Sequence, residues 1–149
     1  MNVVDITDEQ EFIKNFKKQF EYARETNKTF KEMVEPIISH TNSSIFCEKT
    51  DLSPATFSRF KIPVNEKTGK EYKPSVQALV AFCVGYEIDL PNAIAIRRSY
   101  GYTFNITDPV EYAYMYLITH YSGRPISECN ELLKKLGIDE KFLLRENSK

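Results

Sequence analysis

An all-α fold is the class this sequence predicts, and three observations predict it. Glycine is scarce, with five in 149 residues, and the prolines stand between periodic segments, which disfavours a β-sandwich. Apolar residues recur at three- and four-residue spacing, the period of an amphipathic helix. Cap-forming residues at Thr29, Ser53, Ser75, Asp89, Asp108 and Ser127 stand where those runs begin. About seven short helices are expected.

From Asp8 to about Thr26, Phe12, Ile13, Phe16, Phe20 and Ala23 form one stripe, with Lys14, Lys17, Lys18 and Glu21 on other faces. Residues 1–28 therefore read as an N-terminal amphipathic helix, leaving 29–138 as the core of a single helical domain spanning 1–149. Thr29-x-x-Glu32 matches a capping box and opens a helix through Met33, Val34, Ile37 and Ile38, which Pro36 should kink or delay. After Asn42-Ser43-Ser44, each able to cap, Ile45-Phe46-Cys47 begins a short helix that stops near Asp51. A tight turn follows, then Ser53 and Pro54, an N-cap and first helical position, begin a helix running through Phe57 and Phe60 to about Ile62.

Residues 63 to 73 combine Pro, Asn and Gly with charges and read as an exposed, mobile loop, compatible with a small hairpin at Thr68-Gly69. Ser75 then caps a helix whose Val76, Leu79, Val80 and Cys83 share a stripe widened by Phe82 and Tyr86, the expected central helix. Asp89 caps Leu90 to Tyr100, ending at Gly101. Asp108 opens a helix running to Gly123, and Ser127 opens the last, closed by Gly137.

Composition narrows the function. With 42% hydrophobic and 28% charged residues and a net charge of −1, the chain forms a core but has no whole-molecule field to gather nucleic acid or anionic membrane. An electrostatic partner must be met by a local patch. Three cysteines, 36 and 46 residues apart, form no disulfide framework or C-x-x-C motif, which points to a reducing cytoplasm and to core packing. The start lacks signal-peptide character, and the longest uncharged run, Pro74 to Tyr86, is too short to span a bilayer, so no membrane association is expected. Phosphate-loop, dinucleotide, nucleophile-elbow and zinc-protease motifs are all missing, so neither catalysis nor a cofactor is expected. His40 and His120 have no ligand at metal spacing and read as structural or surface residues.

The constellation that carries a function is two short helices, a tight turn, a loop and a long apolar helix. Phe46 and Cys47 face inward from the first helix, Leu52 plugs the turn, and Phe57 and Phe60 anchor the second. On those residues, 45 to 62 resemble the lambda-repressor/Cro-like helix-turn-helix family, in which a small residue stands where Cys47 is and glycine is frequent where Asp51 is. Asp accepts left-handed backbone better than most residues. The run Tyr72-Lys73-Pro74-Ser75, then Ala78-Leu79-x-Ala81-Phe82, Leu90-x-x-Ala93, Tyr100-Gly101-Tyr102 and Glu131-Leu132-Leu133 is similar to a bacterial helical module of helix-turn-helix regulators, over roughly 29 to 138.

The resemblance implies a sequence-specific regulator that binds double-stranded DNA. Residues after the N-cap and one turn later would face the major groove, placing Pro54, Ala55, Ser58 and Arg59 there, with the N-cap Ser53 also among the DNA-binding residues. Arg59 is the one strong base reader among them. Lys61 and Lys73, with Lys67, Lys70 and Arg59, would meet phosphates, five cations against Glu66 and Glu71 for a local net of +3. Against this stands a non-catalytic protein-interaction module on the same scaffold, favoured by Pro54, Ala55 and the sequence pI near 6.2. A homodimer is expected, because Phe12, Phe16 and Phe20 and the tyrosine-rich 112–121 segment offer more apolar surface than one small core needs. For Tyr100, Tyr102, Tyr112, Tyr114, Tyr116 and Tyr121, core packing is favoured over oligomer contact and base stacking. Arg97 and Arg98 read as complementing a helix dipole rather than binding phosphate.

Overall fold

The computed structural model describes residues 9–10, 13–16 and 28–145. Helix α1 runs Phe30–Ile38, α2 Ser43–Thr50, α3 Pro54–Lys61, α4 Val76–Gly85, α5 Leu90–Ser99, α6 Pro109–His120 and α7 Ile126–Lys135, followed by a 3₁₀ turn at Glu140–Phe142. The described residues contain no β-strand, only an isolated antiparallel bridge between Val64 and Glu71. Residues 13–16 are also helical, with Ile13 and Phe16 exposed. Phe12, Phe20 and most of the N-terminal stripe lie outside the described residues.

Local chemistry sets the helix starts. Thr29 Oγ1 accepts from the Glu32 amide at 3.2 Å while the Glu32 carboxylate accepts from the Thr29 amide at 2.9 Å. This reciprocal pair lowers the Glu32 pKa and starts α1 at Phe30, so Pro36 does not delay it. Asn42, Ser53, Ser75, Asp89 and Asp108 each cap through a side-chain oxygen. Ser127 does not. Helix α7 begins at Ile126 with Pro125 at the cap position and no side-chain cap, so Ser127 already lies inside the helix and its hydroxyl does not cap it.

Helix α4 is the centre, packing against α2, α5, α6 and α7. Every residue from Ala78 to Gly85 is buried. An aromatic cluster joins the first three helices to it: the Phe46 ring lies 5.1 Å from Phe57, 5.5 Å from Phe60 and 6.2 Å from Phe82, and Phe60 lies 4.8 Å from Phe82 and 5.6 Å from Phe30 of α1. At the other end Asn130 both accepts from the Leu144 amide at 2.7 Å and donates to its carbonyl at 3.2 Å. That clamp folds the buried Leu143 and Leu144 onto the core.

Gly85 is where α4 meets the end of α2. A Cβ there would stand 2.7 Å from the Lys49 carbonyl oxygen, a backbone atom that cannot step aside alone. Gly85→Ala should therefore cost about 1–3 kcal/mol, seen as a lower urea midpoint with an unchanged slope. An unchanged midpoint would mean that α2 and α4 do not approach as described.

Arg97 departs from the dipole expectation. Its Nη1 donates to Glu111 Oε1 at 2.9 Å and to the Thr103 carbonyl at 3.0 Å, and its guanidinium lies 4.7 Å from the Phe104 ring. Arg97 is only 8% exposed, so it is the buried strut of the 101–108 connection rather than a surface cation. Arg98 is exposed. The hydrogen bonds from Arg97 hold the Glu111 carboxyl below its ordinary range. A depressed carboxylate stabilises the fold above its unfolded pKa and loses that contribution as pH falls through the folded value. Glu111→Gln should thus lower Tm at neutral pH, and the gap to the parent chain should shrink below about pH 4. A gap independent of pH would reject the pair's electrostatic role.

Candidate nucleic-acid interface

The two short helices α2 and α3 are joined by a turn whose chemistry is local. Asp51 takes φ 59° and ψ 26°, the left-handed cap expected of it, and its amide donates to the Cys47 carbonyl. Thr50 is buried, donating to the Phe46 carbonyl at 2.7 Å and accepting from the Leu52 amide at 3.2 Å. Leu52 is 3% exposed and fills the turn as expected. Phe46, Phe57 and Phe60 are buried, whereas Cys47 is half-buried.

Burying Phe57 and Phe60 turns the opposite side of α3 outward. Ala55, Ser58, Arg59 and Lys61 are exposed, as is Pro54. Two of the candidate readers already spend part of their hydrogen-bonding capacity on the backbone. Ser53 Oγ accepts from the Thr56 amide at 3.2 Å as the N-cap, and Ser58 Oγ donates to the Pro54 carbonyl at 3.3 Å. Ser53 is half-buried and serves the helix first. Arg59 has no ion-pair partner among the described residues, and its guanidinium lies 6.0 Å from the Tyr72 ring centre.

Residues 63–72 are a hydrogen-bonded hairpin rather than an unpaired loop. The Tyr72 amide donates to the Pro63 carbonyl at 2.7 Å, the Asn65 amide to Lys70 at 2.9 Å and the Gly69 amide to Asn65 at 2.6 Å. The Asn65 side chain accepts from the Lys67 and Thr68 amides, an Asx arrangement that closes the tip, and Gly69 at φ 72° supplies the left-handed turn residue. Lys67, Lys70 and Lys73 are exposed. Along the hairpin, with Arg59 as its one contribution from α3, is an open groove of about 980 Å³ where Lys67, Lys70 and Lys73 stand with the carboxylates of Glu66 and Glu71, beside Ile62 and Tyr72. Lys61 stands outside it. Ile62 is 66% exposed, an apolar residue at this site that periodicity gave no reason to expose.

The remaining candidates fall away from this site. Tyr114 and Tyr100 are buried, whereas Tyr102, Tyr112 and Tyr116 are exposed, so α6 is not buried on all sides. His40 is exposed with Nδ1 2.8 Å from the Pro36 carbonyl, and His120 is exposed with its ring 4.4 Å from Tyr116. No group of three His, Cys, Asp or Glu among the described residues could hold a metal ion. Burial pushes the Cys83 thiol up and that of Cys129 up to about 11, so both are protonated at neutral pH. No described helix is long and apolar enough to cross a membrane. No protein-family model, curated protein or solved structure matches the chain.

Proposed function

We propose that this chain is a duplex-DNA-binding transcriptional regulator of the lambda-repressor-like helix-turn-helix class, acting in the cytoplasm without catalysis or cofactor. The observation that carries the reading is the solvent-facing side of α3, where Arg59 lines one groove with Lys67, Lys70 and Lys73, four cations against the carboxylates of Glu66 and Glu71. Arg59 is the base reader, with Ala55 offering a methyl contact to thymine and Ser58 a hydroxyl. Lys61 and Lys73, with the hairpin lysines, meet phosphates, and Ser53 sets the start of α3. Selection from a random duplex pool should enrich a motif with a guanine under Arg59. A pool that stays unenriched would reject the reading.

A second reading, a protein-interaction module, is favoured by Ile62 and Val64, which are exposed in that groove. It takes over if duplexes are not bound and a partner protein protects Ile62 instead.

Helix-turn-helix proteins commonly present two recognition helices to successive major grooves about 34 Å apart, so the working unit is a homodimer. Exposed Tyr112 and Tyr116 on α6 supply apolar area for it. Sedimentation at micromolar concentration should give twice the 17.3 kDa chain mass. A strictly monomeric chain would also weigh against tight binding at physiological salt.

A further inference from the structure

Arg59 is asked to reach one base edge in a fixed direction, yet it is an exposed side chain with several free torsions. Such a residue surrenders most of its rotamer freedom on binding, and any group that already restricts it lowers that cost. The structure supplies one. Tyr72, on the returning arm of the hairpin, lies with its ring centre 6.0 Å from the Arg59 guanidinium.

The ring is itself held in place. It meets Phe60 edge-on at 5.7 Å and Phe30 edge-on at 6.4 Å, while the backbone amide is tied to Pro63 across the hairpin. Tyr72 thus connects three things: the aromatic core beneath α3, the hairpin that carries Lys67 and Lys70, and the exposed Arg59 guanidinium. The kind of contact matters too. A carboxylate partner would consume the fork of N–H donors that a guanine needs, whereas a ring face engages the guanidinium plane and leaves its edge free.

We infer that Tyr72 is a positioning residue that holds the Arg59 guanidinium aimed along the outer face of α3, so that the hairpin governs base discrimination as well as phosphate contact. The inference rests on the duplex-DNA reading above. It makes Tyr72 a specificity determinant without contact to DNA, and it acts through the aromatic face rather than the hydroxyl.

The test uses the full chain and three variants, Tyr72→Phe, Tyr72→Leu and Arg59→Ala, plus the Tyr72→Leu, Arg59→Ala double variant. In the free protein, the Arg59 side-chain NMR signals should be displaced by the ring current. Tyr72→Phe should keep that displacement and Tyr72→Leu should lose it. With duplex, the ratio of affinities for the selected motif and for one lacking its guanine should fall about two- to five-fold in Tyr72→Leu, the range of an exposed cation–π contact. That ratio should be retained in Tyr72→Phe, and the salt dependence should be unchanged in both. In the Arg59→Ala background Tyr72→Leu should add nothing. Undisplaced Arg59 signals in the parent chain, a discriminating Tyr72→Leu, or an equal loss without Arg59 would each overturn the role of Tyr72 while leaving duplex binding intact. A parent chain that binds no duplex would overturn both.

Discussion

Phe46→Ala should cost about 3–5 kcal/mol, the largest single loss expected from a side chain in the first half of the domain. Phe46 is fully buried, and its ring touches those of Phe57, Phe60, Phe82 and Tyr86. Removing it leaves a cavity between α2, α3 and α4, walled by aromatic rings of which Phe60, Phe82 and Tyr86 are held by further partners. Such walls collapse poorly, so the cost lies toward the upper end. Domains of this size are stable by about 5–15 kcal/mol in total, so the loss is a large fraction of the whole and should lower Tm by many degrees. Thermal or urea denaturation by circular dichroism is the check, and a loss below 1 kcal/mol would mean that α2 is not seated on α3 and α4. Phe57, at 8% exposed, should cost somewhat less because part of its rim already meets solvent.

The second large effect separates base reading from phosphate attraction. Arg59→Ala should weaken binding to the selected motif by about 1–3 kcal/mol and relax preference at the guanine it faces. Lys61→Ala and Lys73→Ala should weaken every duplex similarly and each reduce the salt slope by about one. All three side chains are exposed, so none of these changes should disturb folding. Pro54 and Ala55 offer no hydrogen bond from their side chains, so discrimination beyond Arg59 should be modest and come partly from duplex shape. An Arg59→Ala chain that binds and discriminates like its parent would remove α3 from the interface.

Features encoded within a few residues were legible in the sequence. The caps at Thr29, Ser53, Ser75, Asp89 and Asp108 and the left-handed Asp51 follow from side chains reaching their own backbone, and each is found where it was expected. The start of α7 was not, because the residue at its cap position is Pro125, which has no side-chain acceptor to mark the boundary. Long-range pairings were not legible either. Arg97 stands fourteen residues from Glu111, and nothing in its own surroundings distinguishes a buried strut from a cation at a helix end. The hairpin shows the same limit: its turn residues were visible, but the Val64–Glu71 pairing depends on where Pro63 and Tyr72 are anchored. Hence Arg59 and Lys61 could be picked from helical position alone, whereas the Tyr72 contact to Arg59 needed the fold.

The claim that α3 and the adjoining lysines form a duplex-DNA interface is tested most directly by salt titration. Fluorescence anisotropy of a labelled duplex between 50 and 200 mM salt measures it, with log Kobs plotted against log salt concentration. Four lysines, at Lys61, Lys67, Lys70 and Lys73, should give a straight line with a slope of about −3 to −4 per protomer. Absence of binding at the lowest salt, or binding that does not respond to salt, would contradict the account.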